Sequence, residues 1–112
     1  MSDCLFCKIV SGAIPAAKVW EDDRFMAFRD IAPQAPTHLL VIPRQHVASL
    51  DAATDSDLMG GLMLAAAHVA RLEGVAASGY RTVINTNRDA QQAVFHVHVH
   101  VLGGRSLTWP PG

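Results

Sequence analysis

The chain has 112 residues, half of them hydrophobic, and a formal net charge of −1 with histidine neutral. This length suits one domain over residues 1–112, and the hydrophobic content disfavours a disordered chain. The near-zero charge without a basic cluster disfavours a nucleic-acid partner, and no apolar run approaches the roughly 20 residues of a membrane span. Since residues 1–4 lack the basic and apolar regions of a signal peptide, we expect a cytoplasmic protein.

Two helices and five strands are predicted in chain order: a helix over 4–11, strands over 19–21, 25–29 and 38–43, a helix over 54–73, and strands over 80–85 and 94–102. Gly12 would cap the first helix, and Thr54 or Asp55 would begin the second. Short connections favour antiparallel strand pairing. The sequence therefore predicts an α+β two-layer domain, with one main and one short helix and a five-stranded antiparallel sheet.

The main helix carries an apolar stripe at helical spacing, formed by Leu58, Leu62, Ala66 and Val69. Two adjacent glycines, Gly60 and Gly61, weaken such a helix by up to ~1 kcal/mol each. We interpret them as sites of close packing against another backbone.

The last predicted strand holds half of the six histidines of the chain. His96, His98 and His100 alternate with valines, so they share one face while Val97, Val99 and Val101 share the other, with Phe95. Neutral imidazole is both a nucleophile and a metal ligand. Three imidazoles on one face indicate a metal site, a phosphate site or a nucleophile with helpers, rather than solvent-facing residues without a role.

Near the amino terminus, Cys4 and Cys7 form a C-x-x-C pair. In the cytoplasm such spacing favours metal or redox chemistry over a structural disulfide. A redox motif of the thioredoxin type is disfavoured, because no βαβ pattern follows. Zinc would need two further nitrogen or sulfur ligands, and a pair of free cysteines remains the alternative.

The chain resembles the histidine triad (HIT) family, whose motif His-φ-His-φ-His-φ-φ (φ apolar) matches residues 96–102. It is most similar to the Hint branch, the nucleoside phosphoramidases. Residues 28–38 look like the nucleotide-binding loop of that branch, residues 40–46 continue it, and the tail over 103–112 resembles its carboxyl terminus. The resemblance covers nearly the whole chain.

This resemblance implies a homodimer in which two five-stranded sheets form one ten-stranded sheet. It implies hydrolysis of purine nucleoside 5′-phosphoramidates, and of acyl-nucleotides, to a nucleoside monophosphate through a nucleotidyl-histidine intermediate. His98 corresponds to the nucleophile and His100 to the partner of the phosphate oxygens. His38 would orient His98 or relay a proton; without the resemblance it would be an ordinary histidine at a strand end.

The same resemblance implies a nucleotide-binding set that includes His98 and His100. Asp30 would bind the ribose hydroxyls, because a carboxylate accepts two hydrogen bonds; a turn-forming aspartate is the alternative. Phe28 and Ile31 would enclose the base, or else belong to the core. Asn85 would reach the ribose or phosphate, or else serve in a turn. The loop residues Gln91, Gln92 and Ala93 complete the set.

This loop departs from the pattern of the family, in which Gly-Gln-Ser-Val or a similar segment is expected. Gln91 stands where the glycine would be, and Ala93 replaces a residue that often carries a hydroxyl. Ala93 has no side-chain hydrogen bond to offer, so a contact to the phosphate or leaving group is lost. The backbone N–H groups can still bind phosphate oxygens.

Zinc-bearing members of the family suggest His46 and His96 as the further ligands beside Cys4 and Cys7. A structural zinc ion there would attach the first helix to the sheet. His96 would then be removed from direct catalysis.

Two other functions are compatible with parts of the sequence. A dinucleoside polyphosphate hydrolase is the other large branch of the family, but the tail over 103–112 disfavours it. A nucleotide-binding scaffold with low turnover is a different class, and Ala93 keeps it open. A nucleotidyltransferase of the hexose-1-phosphate type would need His-Pro-His-x-Gln, which the valines of the histidine segment exclude.

Overall fold

A computed structural model describes residues 3–112. Residues 1–2 lie outside the described residues. They belong to the expected domain and to the segment that we compared with a signal peptide. The elements are α1 (Leu5–Ser11), β1 (Lys18–Glu21), β2 (Phe25–Arg29), β3 (Thr37–Pro43), α2 (Ser56–Leu72), β4 (Tyr80–Val83) and β5 (Val99–Gly103). The predicted α+β class with a five-stranded antiparallel sheet is confirmed. No helix in this range is both long and apolar enough to cross a membrane.

The strand order β1-β2-β3-β5-β4 places β3 between β2 and β5. In the register of β3 and β5, His38 lies opposite Leu102 and Leu40 lies opposite His100. Opposed residues of an antiparallel pair share a face, and diagonal neighbours on that face are within reach of long side chains. The register therefore brings His38 next to His100, although 62 positions separate them in the chain.

One face of the sheet packs on α2 and forms the main core. Its strand residues alternate as the sequence predicts, and the cluster includes Leu39, Val41, Val97, Val99, Val101, Leu62, Ala66 and Val69, all 0–1% exposed. Phe95 does not join this face as expected, because about half of its surface is exposed.

The opposite face of the sheet, which carries the histidines, is covered by α1. A two-layer arrangement with α2 alone would have left this face open to solvent. Phe6 of α1 packs with Met26, Phe28, Leu40 and Ile42 in a second buried cluster. The helix begins at Cys4, whose Sγ accepts a hydrogen bond from the Cys7 N–H, and ends at Gly12 in a left-handed conformation. Because α1 lies here, its side chains can form one wall of a site.

The helix α2 begins after Asp55, whose carboxylate accepts from the N–H groups of Asp57 and Leu58. We interpreted Gly60 and Gly61 as sites of close packing against another backbone, and this is wrong in part. A Cβ on Gly61 would lie 2.8 Å from the ring of Phe25, a side chain rather than a backbone, and a Cβ on Gly60 would meet nothing within 4 Å.

The histidine strand is shorter than predicted. Only Val99–Gly103 belongs to the sheet, and the segment before it leaves the ladder, with the Val97 N–H donating to the Val47 carbonyl at 2.7 Å. Likewise β4 ends at Val83, so Asn85 follows the strand. The alternation of apolar residues and histidines begins before the hydrogen-bonded strand. Alternation shows that a backbone is extended, but it does not show that the backbone pairs with a neighbouring strand.

Candidate active site and metal cluster

A cavity of about 520 Å³ lies on the face of the sheet that α1 covers. This volume is in the usual range for a small-molecule site. Its apolar walls come from α1, the segment that follows it, and strands β2 and β3. Its polar side chains are Arg29, Asp30, Asn85, Gln91, His98 and His100. An apolar cavity with a few convergent polar groups suits a ligand that has both a flat apolar part and a charged part.

Most of the predicted site residues line this cavity: Phe28, Asp30, Ile31, Asn85, Gln91, Ala93, His98 and His100. Sequence reasoning missed a further group of lining residues: Leu5, Phe6, Ile9, Pro15, Ala16, Ala17, Arg29, Leu40 and Val94. The apolar spacing of α1 could have suggested a buried face, but nothing local shows that this face closes a cavity. Only the packing of α1 on the sheet decides it.

His98 is 6% exposed and is oriented by a backbone group. Its Nδ1–H donates to the carbonyl of His96 at 2.8 Å, which leaves Nε2 without a proton. Burial lowers the pKa of His98, against smaller opposing effects of that hydrogen bond and of Asp30. The ring is therefore held neutral, in one tautomer, with a nucleophilic nitrogen available.

His38 contacts His100 and not His98. The Gln34 N–H donates to Nδ1 of His38 at 3.0 Å, so the proton of this ring lies on Nε2. That Nε2–H donates to Nδ1 of His100 at 2.8 Å, which places the proton of His100 on its own Nε2. This chain of hydrogen bonds makes His100 a donor, and it differs from the expected direct contact between His38 and His98.

The environment keeps His100 neutral. Burial, followed by the neighbouring His98 and His38, lowers its pKa to about 4, while Asp30 acts in the opposite direction. Burial also lowers the pKa of His38. Near pH 7 the site therefore consists of neutral imidazoles, which donate and accept directional hydrogen bonds without adding positive charge.

The two carboxylate oxygens of Asp30 have different surroundings. Its Oδ1 accepts from the Ala32 N–H at 2.8 Å, which is the turn-forming role. Its Oδ2 lies 3.4 Å from Nε2 of His38 and 4.0 Å from Nδ1 of His100. Because the residue also lines the cavity, this second oxygen remains available to a ligand.

The loop before the histidine segment is organised by Gln92. Its side-chain amide donates to the carbonyls of Ala48 and Val94 at 2.9 and 3.0 Å, and its oxygen accepts from the Asn87 N–H. Gln92 is buried and does not line the cavity, unlike Gln91 and Ala93. The structure therefore places its side chain in a supporting position rather than in the predicted nucleotide-binding one.

Gln91 has a backbone φ of 60°, in the left-handed region. For an L-residue that is not Gly, Asn or Asp, this region costs on the order of 1 kcal/mol. The turn closes through hydrogen bonds from the Gln91 N–H to the Arg88 carbonyl and from the Gln92 N–H to the Asn87 carbonyl. The geometry thus explains why the family pattern has glycine at this position, and Gln91 adopts it under strain.

The four predicted metal ligands meet beside the cavity. The ligand atoms of Cys4, Cys7, His46 and His96 all lie within 4.8 Å of one another. Nδ1 of His96 lies 3.3 Å from Sγ of Cys4 and 3.6 Å from Sγ of Cys7, and Nδ1 of His46 lies 3.4 Å from Sγ of Cys7. Tetrahedral zinc with ordinary bond lengths separates sulfur and nitrogen ligands by about 3.5 Å. The donor set therefore fits zinc.

His96 is fully buried, and its ring is oriented as a metal ligand would be. Its Nε2–H donates to the Pro43 carbonyl at 2.7 Å, so Nδ1 presents its lone pair to the two sulfurs. Such a hydrogen bond on the second ring nitrogen is typical of histidine ligands. The side chain of His96 thus belongs to the cysteine cluster, while its carbonyl orients His98.

Comparisons with known proteins agree with this geometry. The model of the HIT domain family matches residues 11–107. An uncharacterized HIT-like protein of Synechococcus elongatus is 54% identical over 112 residues, with 98% of this chain and 97% of the relative covered.

Two solved structures share the fold. A HIT family hydrolase from Legionella pneumophila is 51% identical, with a TM-score of 0.95 over 98% of this chain and 100% of the other. A zinc-bound histidine triad family protein from Mycobacterium smegmatis is 36% identical, with a TM-score of 0.82 over 91% and 75%. The family match and the full-length identity confirm the expected resemblance: this chain belongs to the HIT domain family.

Proposed function

We propose that this protein hydrolyses purine nucleoside 5′-phosphoramidates through a nucleotidyl-histidine intermediate on His98. The observation that supports this most is the fixed tautomer of a buried, neutral His98 in the wall of the cavity. The similar Legionella protein is a HIT family hydrolase. Acyl-nucleotides, which have the same phosphorus centre with a carboxylate leaving group, are further substrates of the same chemistry.

The reaction has two displacements at phosphorus. Nε2 of His98 attacks the α-phosphorus, a phosphorus–nitrogen bond to His98 forms, and the original phosphorus–nitrogen bond breaks as the amine leaves with a proton taken from solvent water. A second water molecule then attacks the same phosphorus and gives up a proton to solvent. The bond to His98 breaks, its electron pair returns to Nε2, and the nucleoside monophosphate is released. Covalent catalysis of this kind replaces one difficult step by two easier ones.

The residues around His98 would stabilise charge and bind the nucleoside. His100 carries its proton on Nε2 and would donate it in a hydrogen bond to a phosphate oxygen, in a position set by His38. Oδ2 of Asp30 would accept from the ribose hydroxyls, and Asn85 would bind at the ribose or phosphate. The apolar walls, with Phe28 and Ile31, would enclose a base as large as a purine.

The variant His98→Asn tests this function. It removes the nucleophile, so we expect kcat for an adenosine phosphoramidate to fall by about 10³-fold or more. We also expect mass spectrometry to detect a nucleotidyl adduct in the wild type but not in this variant. His68→Asn is the matched control, because His68 lies on α2 beside Trp20 and not in the cavity. Unchanged hydrolysis by His98→Asn would refute the proposal, and hydrolysis of dinucleoside polyphosphates alone would favour the other branch.

We propose in addition that Cys4, Cys7, His46 and His96 hold a structural zinc ion. The similar histidine triad family protein from Mycobacterium smegmatis is zinc-bound, which supports this proposal. Bound zinc would supply a four-coordinate cross-link and no chemistry at the phosphorus. The ligand residues would attach α1, and with it one wall of the cavity, to the histidine segment.

Metal analysis of the purified protein tests this proposal. We expect about one zinc per chain, and we expect Cys4→Ser to lose the metal and to lower the free energy of unfolding by several kcal/mol. Ser11→Ala, at the other end of α1 and outside the cluster, is the control. A zinc content far below one per chain, together with unchanged stability of Cys4→Ser, would contradict it.

A further inference from the structure

Gln91 has a backbone conformation that glutamine disfavours. No contact within the described part of the chain explains why this position has a side chain rather than being glycine. Among residues 3–112, only Asn87 and Gln91 have a positive φ without being glycine. Asn is comparatively tolerant of this region, whereas Gln is not. A strained residue that persists beside a site points to a functional role for its side chain.

The carboxamide of Gln91 is free to meet a ligand. It makes no hydrogen bond to any residue in the range 3–112, whereas the amide of the adjacent Gln92 makes three. Gln91 is exposed and lines the cavity together with Ala93, Asn85 and the two catalytic histidines. Its side chain is therefore accessible both to solvent and to the cavity.

This position suits the leaving group rather than the nucleoside. In a displacement at phosphorus, the leaving group departs opposite the attacking atom, and here it must reach solvent. The apolar walls and Asp30 belong to the part of the cavity that suits base and ribose. Ala93, two residues further on, offers only a methyl group, so of these two cavity-lining residues only Gln91 has a side chain that can form a hydrogen bond.

We propose that Gln91 is a specificity-determining residue that hydrogen-bonds the leaving group, and that it favours amines carrying a carbonyl group, such as the amide of an N-linked amino acid. A carboxamide has both a donor and an acceptor, as does the amide of such a leaving group. This inference rests on the proposed phosphoramidase function.

The experiment compares two substrates that differ only in the leaving group: adenosine 5′-phosphoramidate and its derivative N-linked to alanine amide. The ratio of their kcat/KM values measures the preference for the larger leaving group. We expect Gln91→Ala, which keeps the strained backbone, and Gln91→Gly, which relieves it, both to lower this ratio by about 5–10-fold, as for the loss of one hydrogen bond. We expect the change to appear mainly in KM.

Thermal unfolding separates the role of the side chain from that of the backbone. Gln91→Gly is expected to raise Tm by about 2–6 °C, because glycine adopts a positive φ without cost. The matched control is Asn87→Gly, at the other positive φ of the same turn but outside the cavity, which is expected to leave the substrate ratio unchanged. If Gln91→Gly raises Tm and lowers the substrate ratio, the strained backbone of Gln91 is kept because its side chain binds the leaving group.

Three results would overturn the proposal: an unchanged ratio in both Gln91 variants, an equal loss for the two substrates, or weaker binding of adenosine monophosphate, which would place the contact on the nucleotide. If the wild type hydrolyses neither substrate, the proposed function fails separately. Calorimetric titration with the uncleaved alanine amide derivative and with adenosine monophosphate then decides about Gln91. A preference for the derivative that disappears in Gln91→Ala supports the contact, and its absence in the wild type refutes it.

Discussion

At the scale of residues, three histidines that are equivalent in the sequence have different partners in the structure. His96 turns its ring towards two cysteines, His98 donates to a backbone carbonyl, and His100 accepts from His38. Each hydrogen bond selects one tautomer, and the tautomer selects the chemistry. One side-chain type therefore supplies the three roles that we propose: a metal ligand, a nucleophile and a hydrogen-bond donor.

The depressed pKa of His100 predicts that acid destabilises the fold. In the unfolded chain this ring takes up a proton below about pH 6.5, whereas in the folded chain it does so only near pH 4. Stability present above pH 6.5 is therefore lost as the pH falls towards 4. We expect His100 to account for a decrease of about 1–2 kcal/mol in the free energy of unfolding between pH 7 and 5.

Urea denaturation at pH 7, 6 and 5 measures this effect. His100→Asn removes the titrating ring, so its free energy of unfolding should fall less steeply with decreasing pH than that of the wild type. His68→Asn, outside the cavity, serves as the comparison. Equal slopes for the wild type and His100→Asn would show that the burial of His100 does not control acid stability.

At the scale of elements, the pairing of β3 with β5 and the packing of α1 assemble the site. The strand pair joins His38 to His100, and α1 closes the cavity with Leu5 and Phe6. The loop before the histidine segment contributes through the turn that Gln92 holds. The site thus lies where strands of the sheet, α1 and the loop before the histidine segment meet.

The two glycines of α2 provide a matched pair of substitutions. Gly61→Ala would place a Cβ 2.8 Å from the buried ring of Phe25, so we expect overpacking to lower the free energy of unfolding by about 1–2 kcal/mol. Gly60→Ala meets open space, and better helix propensity should raise the free energy of unfolding by about 0.5–1 kcal/mol. Denaturant unfolding of both variants measures the two changes in the free energy of unfolding. Equal changes would contradict a steric clash between a Cβ at position 61 and the Phe25 ring.

At the scale of the whole molecule, the two sheet edges are β1 and β4. An edge strand offers unpaired N–H and C=O groups to another chain. On α2, the apolar side chains of Leu64 and Leu72 are 73% and 55% exposed, and they could pack against a second chain. On these features we base the proposal of the homodimer that the resemblance implies, in which two five-stranded sheets join at an edge and form one ten-stranded sheet.

Light scattering after size exclusion tests this assembly. We expect the mass of two chains for the wild type and a shift towards one chain of 12.0 kDa in Leu64→Lys, because a charge would be buried at the interface. Leu50→Lys, exposed in the segment before α2, is the control. A wild-type protein that stays monomeric at every concentration would rule out the dimer.

Local patterns in the sequence determined the order and type of the elements. β2 over residues 25–29 matches its prediction, because alternation and turn residues are properties of neighbouring positions. The resemblance to the HIT family led us to expect Asp30, Asn85, His98 and His100 at one site, and four candidate metal ligands in one cluster, and the structure brings each of these groups together. These inferences needed only the order of residues along the chain.

The tertiary structure alone decided the contacts between distant residues. It assigned His38 to His100, made α1 a wall of the cavity, ended the sheet at Val99 and turned Gln92 away from the cavity. It also gave Gln91 the positive φ that the family pattern reserves for glycine. The physical reason is that periodicity reports the direction of a side chain, whereas its partner depends on strand register and on which element packs above it.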